Sequence, residues 1–225
     1  MRGRFITFEG GEGAGKSTHS KLLAERLRHA GIEVVLTREP GGSPGAEIIR
    51  HIILSGAAKP LGAEAETMLF ASARDDHLRT TIRPALERGA WVLCDRFADS
   101  TRVYQGIVGK VDLRLIQELE RITVGETVPD LTFVLDVPAE VGLSRAGQRR
   151  GSEHADRFEG EALDFHERLR AGFRTLAQGE PDRCVLIDVT APRAEVAQQI
   201  WSIVETRLNP AAAAPTADEA PRERR

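Results

Sequence analysis

Residues Phe8–Thr18 read FEGGEGAGKST. They set Gly10, Gly15, Lys16 and Ser17 at the spacing G-x-x-x-x-G-K-S/T, directly after an apolar alternating stretch, Arg4–Phe8, that reads as a strand. The glycines let successive backbone N–H groups turn toward a triphosphate, so Gly10, Gly11, Glu12, Gly13, Ala14, Gly15, Lys16, Ser17 and Thr18 are the expected cradle. Lys16 is expected to reach the β- and γ-phosphates, and the Ser17 hydroxyl to ligate Mg²⁺. The periodic run Lys16–Leu27 supplies a helix whose positive end faces that anion. A glycine-rich turn without a ligand is the alternative, and the full motif between a strand and a helix argues against it.

A chain of 225 residues, 41% hydrophobic and only 5% aromatic, suits one domain with an aliphatic core. A formal charge of −3 argues against a dedicated nucleic-acid binder, which would need a basic face. Cys94 and Cys184 both sit in apolar runs, where buried thiols are expected rather than a disulfide framework or a zinc site. No apolar run approaches a signal or membrane segment, so the expected location is cytoplasmic.

Strand-like runs at Arg4–Phe8, Glu33–Thr37, Trp91–Cys94, Leu131–Leu135 and Arg183–Ile187 alternate with longer helical segments. The alternation predicts an α/β fold with a parallel sheet and helices on both faces. Helices are expected at Gly45–Ser55, Glu64–Arg83 and Val141–Arg150, with Pro84 as a kink or restart and a further helix from about Glu161. The domain is expected to span 1–208. The stretch 209–225, rich in Pro and Ala and without apolar periodicity, reads as a disordered tail.

Two strands end in a carboxylate, Asp95 and Asp136. Asp95 is followed by Arg96, and that pairing suits a site that holds both metal and phosphate; Asp136, before Val137-Pro138, is expected instead to cap a helix. Arg38 and Arg96 follow strands and are placed to grip a second phosphate, because open α/β sheets bind ligands at strand C-terminal ends. Arg74 reads either as a site residue or as a solvated helix residue. Arg145, Arg149, Arg150 and Arg157 lie in a polar, glycine-containing stretch; it reads as a lid at about 147–158 that excludes water, or as a solvated loop.

Together, FEGGEGAGKST, REPGGS, LFASAR, DRFADSTRVYQG (Asp95–Gly106), PDLTFVLDVP and the terminal DRFE resemble the bacterial thymidylate kinases over almost the whole chain to about Leu208. The resemblance implies Mg²⁺-dependent transfer of the ATP γ-phosphoryl group to dTMP. It also implies a P-loop fold with a five-stranded parallel sheet and a short lid, and a homodimer without nucleic-acid or membrane partners. On the matching positions, Phe70 would stack on thymine and Arg74 would reach a base carbonyl. Arg38 and Arg96 would hold the dTMP phosphate, with Asp95 helping to organise Mg²⁺ and acceptor. Glu12 would bond the sugar 3′-hydroxyl or a water network there, Tyr104 would press against C2′ and disfavour ribose, and Gln105 would lie close by. The family divides on its catalytic arginine: some members carry a basic residue in the phosphate loop, whereas the loop here has Glu12-Gly13-Ala14 and points to the lid. Arg150, before a glycine, ranks first for stabilising charge on the transferring group, then Arg149 and Arg157. Val103, where the family often has a small residue, bears on fine substrate discrimination.

Other functions fit less well. A regulatory GTPase needs N-K-x-D after a strand, and the nearest match, Gly109-Lys110-Val111-Asp112, lacks the Asn. A deoxynucleoside kinase needs a base for a sugar hydroxyl, and Asp95-Arg96-Phe97 suits a phosphate acceptor better. A nucleotide sensor has no use for an arginine-rich lid.

Overall fold

Five strands, β1 (Phe5–Gly10), β2 (Val34–Arg38), β3 (Trp91–Asp95), β4 (Leu131–Asp136) and β5 (Cys184–Asp188), form one parallel sheet in the order β2-β3-β1-β4-β5. The computed structural model describes residues 2–150 and 157–210, the side chain of Arg150 excepted. β1 and β4 are buried along their whole length, whereas the edge strands β2 and β5 are only partly covered. That gradient is what helices on both faces of a parallel sheet produce, and it accounts for apolar runs with little alternation in the central strands.

Nine α-helices lie among the described residues: α1 (Lys16–His29), α2 (Pro44–Leu54), α3 (Ala63–His77), α4 (Arg83–Glu87), α5 (Ala98–Thr101), α6 (Leu113–Thr123), α7 (Ala139–Arg150), α8 (Leu163–Gly179) and α9 (Arg193–Leu208). On one face, Ile6, Phe8 and Phe133 meet Leu23 and Leu27 of α1 and Ile200 and Trp201 of α9. On the other, Phe5 and Val92 meet Leu86 of α4, and Val134 meets Leu169 and Phe173 of α8. Cys94 and Cys184 are buried and unpaired, as expected.

The strands agree with the sequence reading to within two residues at each end, and the larger departure is in the helices. The single helix expected over Glu64–Arg83 is α3, a wider π-helical stretch Leu78–Ile82, and then α4. Pro84 in the first turn of α4 is the cause, since it offers no N–H and its ring crowds the carbonyl four residues back. A second π-helical stretch, Arg102–Val108, continues α5 and carries Tyr104 and Gln105. Asn209 ends α9 in the left-handed conformation and Pro210 is buried. The rest of the expected tail, and 151–156 of the expected lid, lie outside the described residues.

α1 leaves β1 toward one edge of the sheet, and the chain after β3 crosses to β4 on the other side. The C-terminal ends of β1 and β3 therefore flank a switch point, where open α/β sheets form a crevice. Arg38 is level with Asp95, and Asp95 with Phe8.

A buried ion pair holds α5, and with it this crevice, against β4 and β5. Arg183 Nη1 and Nη2 donate to the two oxygens of Asp99 at 2.6 and 3.0 Å, and Nη1 also donates to Thr132 Oγ1 at 2.8 Å. Asp99→Ala leaves Arg183 with Glu180 but without its buried partner, and should destabilise the domain by about 3 kcal/mol in urea unfolding. A change below about 1 kcal/mol contradicts this.

Candidate active site

The loop after β1 bends because its glycines adopt conformations closed to other residues. Gly13 has φ 65° and lies so close to the Gly142 carbonyl of α7 that a Cβ would overlap it. Gly15, at φ 87°, precedes α1 with no side-chain cap, leaving the helix N–H groups turned into the crevice. Lys16 lies across the loop, its Nζ donating to the Gly11 and Gly10 carbonyls at 2.7 and 3.2 Å. Burial, then Arg96, lowers its pKa, while Glu12 and Asp95 oppose the shift.

The two strand-end carboxylates take different partners. Asp95 accepts a hydrogen bond from the Ser17 hydroxyl, so a carboxylate and a hydroxyl stand together beside the loop. Asp136 is gripped by Arg170 at 2.8 and 3.1 Å and by Arg174 at 2.6 Å. It is not the cap of α7. The Ala139 N–H that opens that helix donates to Glu167 at 3.2 Å, and the two arginines give Asp136 a stronger, charged set of donors.

Arg96 has φ 70°, a conformation that costs a non-glycine residue about 1–2 kcal/mol. Its surroundings hold it there: its N–H donates to the Phe8 carbonyl, and its guanidinium donates to Glu12 at 2.6 Å, Gly10 O at 3.0 Å and Ser100 Oγ at 3.3 Å. The same Glu12 oxygen accepts from the Tyr104 hydroxyl at 3.0 Å, and Arg96 lies 5.1 Å over the Tyr104 ring. Burial alone would raise the Glu12 pKa, but Arg96 and Lys16 outweigh it and hold the carboxylate down to about 2. Burial lifts the Tyr104 phenol well above its ordinary value, so it is a donor at neutral pH.

A cavity of about 530 Å³ joins this loop to α3 and the charged stretch, and Phe70, Arg74, Tyr104, Gln105, Arg149 and Phe158 contribute to its wall. Phe70 is half-buried, its ring centroid 6.3 Å from that of Phe158. Arg74 is not a solvated helix residue: it is 3% exposed, with Nε on Glu39 at 2.8 Å and Nη2 on Thr101 Oγ1 and the Phe97 carbonyl at 3.0 and 3.2 Å. Gln105 is buried, 3.5 Å from Glu66. Arg38 is half-exposed and pairs with Glu47 at 3.0 and 3.2 Å. Of the charged stretch, Arg149 reaches Glu159 at 3.4 Å, and Arg157 pairs with buried Glu66 at 2.6 Å with its backbone on the Leu54 carbonyl. Arg145 turns away to the Val189 carbonyl at 3.2 Å, and the Arg150 side chain lies outside the described residues.

The family model for thymidylate kinase matches residues 8–200, most of the chain. The chain belongs to the thymidylate kinase family. It is 62% identical over 213 residues to the thymidylate kinase of Bradyrhizobium sp. (strain ORS 278), covering 95% of this chain and 94% of that one. It is 59% identical over 220 residues to that of Nitrobacter winogradskyi, covering 98% and 96%. The crystal structure of thymidylate kinase from Ehrlichia chaffeensis superposes with a TM-score of 0.73 at 32% identity, over 91% of this chain and all of that one.

In this member of the thymidylate kinase family, sequence reasoning missed four buried acids and a histidine at the site: Glu9, Glu39, Glu66, Asp99 and His77. A signal existed for Glu9, a charge inside the apolar strand FITFEG. For the others the charged partners Arg74, Glu39, Arg157 and Arg183 lie 35 to 91 residues away, and no local pattern marks them.

Glu9 accepts from the Phe97 N–H at 2.7 Å and the Ser100 hydroxyl at 2.6 Å. Burial, helped by Asp99, raises its pKa from 4.5 to about 7. Between those values the folded chain keeps a proton that the unfolded chain has released, so this group withdraws stability as pH rises through the window. Glu9→Gln matches the protonated form, its amide able to donate to Ser100. Its unfolding free energy should therefore fall less than that of wild type between about pH 5 and about pH 7.5, and equal slopes contradict the assignment.

Proposed function

We propose that this chain transfers the γ-phosphoryl group of ATP to dTMP, giving dTDP and ADP, with the residue roles that follow. The observation that carries the proposal is one cavity shared by the loop residues Lys16 and Ser17 and by Phe70 and Arg74, in a chain of the thymidylate kinase family. One end suits a polyphosphate, and the other a planar base with hydrogen-bonding edges.

In this reading the loop Gly10–Thr18 cradles the ATP phosphates, with Lys16 on the β- and γ-phosphates. Arg96 and Arg38 hold the dTMP phosphate, and Phe70 packs on the thymine with Arg74 at its edge. Tyr104 stands against C2′, with Gln105 close by and Glu12 at the sugar. An oxygen of the dTMP phosphate, already anionic at neutral pH, bonds to the γ-phosphorus as the bond from that phosphorus to the β–γ bridging oxygen breaks; the electron pair stays on ADP. No protein base is needed, so Asp95 serves geometry and metal rather than proton transfer. The touching Ser17 hydroxyl and Asp95 carboxylate are hard oxygen donors of the kind Mg²⁺ takes alongside phosphate oxygens. Bound there, Mg²⁺ supplies neutralisation of phosphate charge.

Within the lid, Arg150 is assigned to the transferring group, Arg149 second and Arg157 third. The buried Arg157–Glu66 pair supports placing Arg157 last, because its charge is already committed. A homodimer is supported by exposed apolar side chains on helices that pack side by side: Ile48 and Ile52 of α2, Met68 of α3 and Ile122 of α6. Cytoplasmic operation accords with the lack, among the described residues, of any helix long and apolar enough to cross a membrane.

The deciding measurement is ADP release with ATP, Mg²⁺ and, separately, dTMP, dUMP, dCMP, AMP and thymidine. dTMP should be the best acceptor; strong turnover of thymidine without dTMP turnover overturns the proposal. In the same assay Phe70→Ala should raise the dTMP KM about 5- to 150-fold and hardly change that for ATP. An unfolded variant, or an unaltered dTMP KM, returns Phe70 to a packing role.

A further inference from the structure

Behind Arg74 runs a chain of buried polar groups with no part in the chemistry above. Glu39 divides its two oxygens: Oε2 accepts from Arg74 Nε at 2.8 Å, and Oε1 faces His77 Nδ1 at 3.1 Å. His77 Nε2 lies 2.7 Å from Thr37 Oγ1. Glu39 and His77 are 6% and 0% exposed, so water does not compete for these contacts.

A carboxylate only accepts, so the His77 nitrogen facing Glu39 carries a proton, and the other ring nitrogen meets the Thr37 hydroxyl. The chain ties three segments together: β2 through Thr37, the loop after it through Glu39, and α3 through Arg74 and His77. Gly42, at φ 83°, closes over its far end, where a Cβ would collide with both Thr37 Oγ1 and His77 Nε2. Thr81 holds that glycine by donating to its carbonyl at 2.9 Å.

Arg74 has its Nε and Nη2 committed to Glu39, Thr101 and the Phe97 carbonyl. Nη1 has no acceptor among the described residues, and Arg74 lines the cavity. The plane of the guanidinium, and so the direction of Nη1, is set jointly by what holds Nε and what holds Nη2, and Glu39 is the one charged member of that set. A carboxylate held by Arg74 alone would be free to turn about its own side chain, whereas one pinned on its other oxygen is not.

We infer that His77 is a positioning residue for the acceptor nucleotide, acting through Glu39 to hold Arg74 at the cavity wall while linking α3 to the end of β2, which carries Arg38. The inference rests on the proposed reading of Phe70 and Arg74 as the base-binding end. His77 touches no reacting atom, so its loss should appear in acceptor affinity rather than in the chemical step.

The test is steady-state kinetics with ATP and dTMP, together with calorimetric titration of dTMP into the protein without ATP. His77→Leu removes both hydrogen bonds at similar volume and should raise the dTMP KM and Kd about five- to tenfold, with kcat and the ATP KM within about twofold of wild type. His77→Asn keeps a donor where Nδ1 stands and should recover most of the lost dTMP affinity. Thr37→Val cuts the chain at its far end and should raise the dTMP KM about two- to threefold; it carries the test should His77→Leu not fold. Unchanged dTMP constants, an equal rise for both substrates, or an Asn variant no better than Leu overturns the inference. Failure of the functional reading would look different, since wild type itself would then not turn over dTMP.

Discussion

The ion pair between Arg96 and Glu12 is the contact on which the site depends. It joins the end of β3 to the phosphate loop with 2.6 Å between the charged atoms and both side chains largely out of water. Everything nearby is fitted to it. Tyr104 donates to the same Glu12 oxygen, the Gly10 carbonyl takes a second arginine N–H, and Arg96 keeps a left-handed backbone that the surrounding bonds must sustain. Burial works against the charge of Arg96, yet Tyr104, Glu12 and Glu9 together hold it more firmly protonated than a free arginine. A buried charge with this many partners costs little to keep and much to disturb, so the two strand ends are fixed relative to each other before any ligand arrives.

The fold could be read from the sequence because its signals are local. Five short apolar runs, separated by segments of helical period, leave few arrangements other than a covered parallel sheet. The helix boundaries failed where local pattern competes with proline chemistry: the apolar period continues through Leu78–Ile82, but Pro84 forces the winding to widen first. Asp136 was misread for a related reason. A strand-end aspartate before a proline looks like a cap, and nothing near it in sequence reveals the arginines of α8, 34 and 38 positions later, that outbid the helix N–H groups.

At the site, residues set by the backbone motif were legible and their supports were not. Lys16 and Ser17 follow from spacing alone, and Asp95 from its place at a strand end. Glu39, Glu66, His77 and Asp99 are acids and a histidine in helices or loops, of a kind most often solvated, and only the tertiary fold turns them inward. Each then finds a partner: Arg74, Arg157, the other side of Glu39, and Arg183.

Pairing nearly every arginine of the cleft with a carboxylate has a consequence for selectivity. Arg38 with Glu47, Arg96 with Glu12, and Arg157 with Glu66 are each already paired with a carboxylate, and of the buried side-chain nitrogens in these three pairs only Nε of Arg157 lacks an acceptor among the described residues. An incoming phosphate therefore gains only the difference between its own hydrogen bonds and those of a carboxylate, and a neutral ligand gains nothing by competing for the guanidinium. Raw affinity falls, while discrimination for a doubly charged, correctly placed group rises. Arg74 is likewise paired with Glu39, but it lines the cavity with Nη1 lacking an acceptor among the described residues, so a neutral carbonyl that reached Nη1 would accept from it without breaking that ion pair. The acids behind the arginines thus set how each guanidinium is held in the cleft, Arg96 by Glu12 beside the phosphate loop and Arg74 by Glu39 on the wall of the cavity.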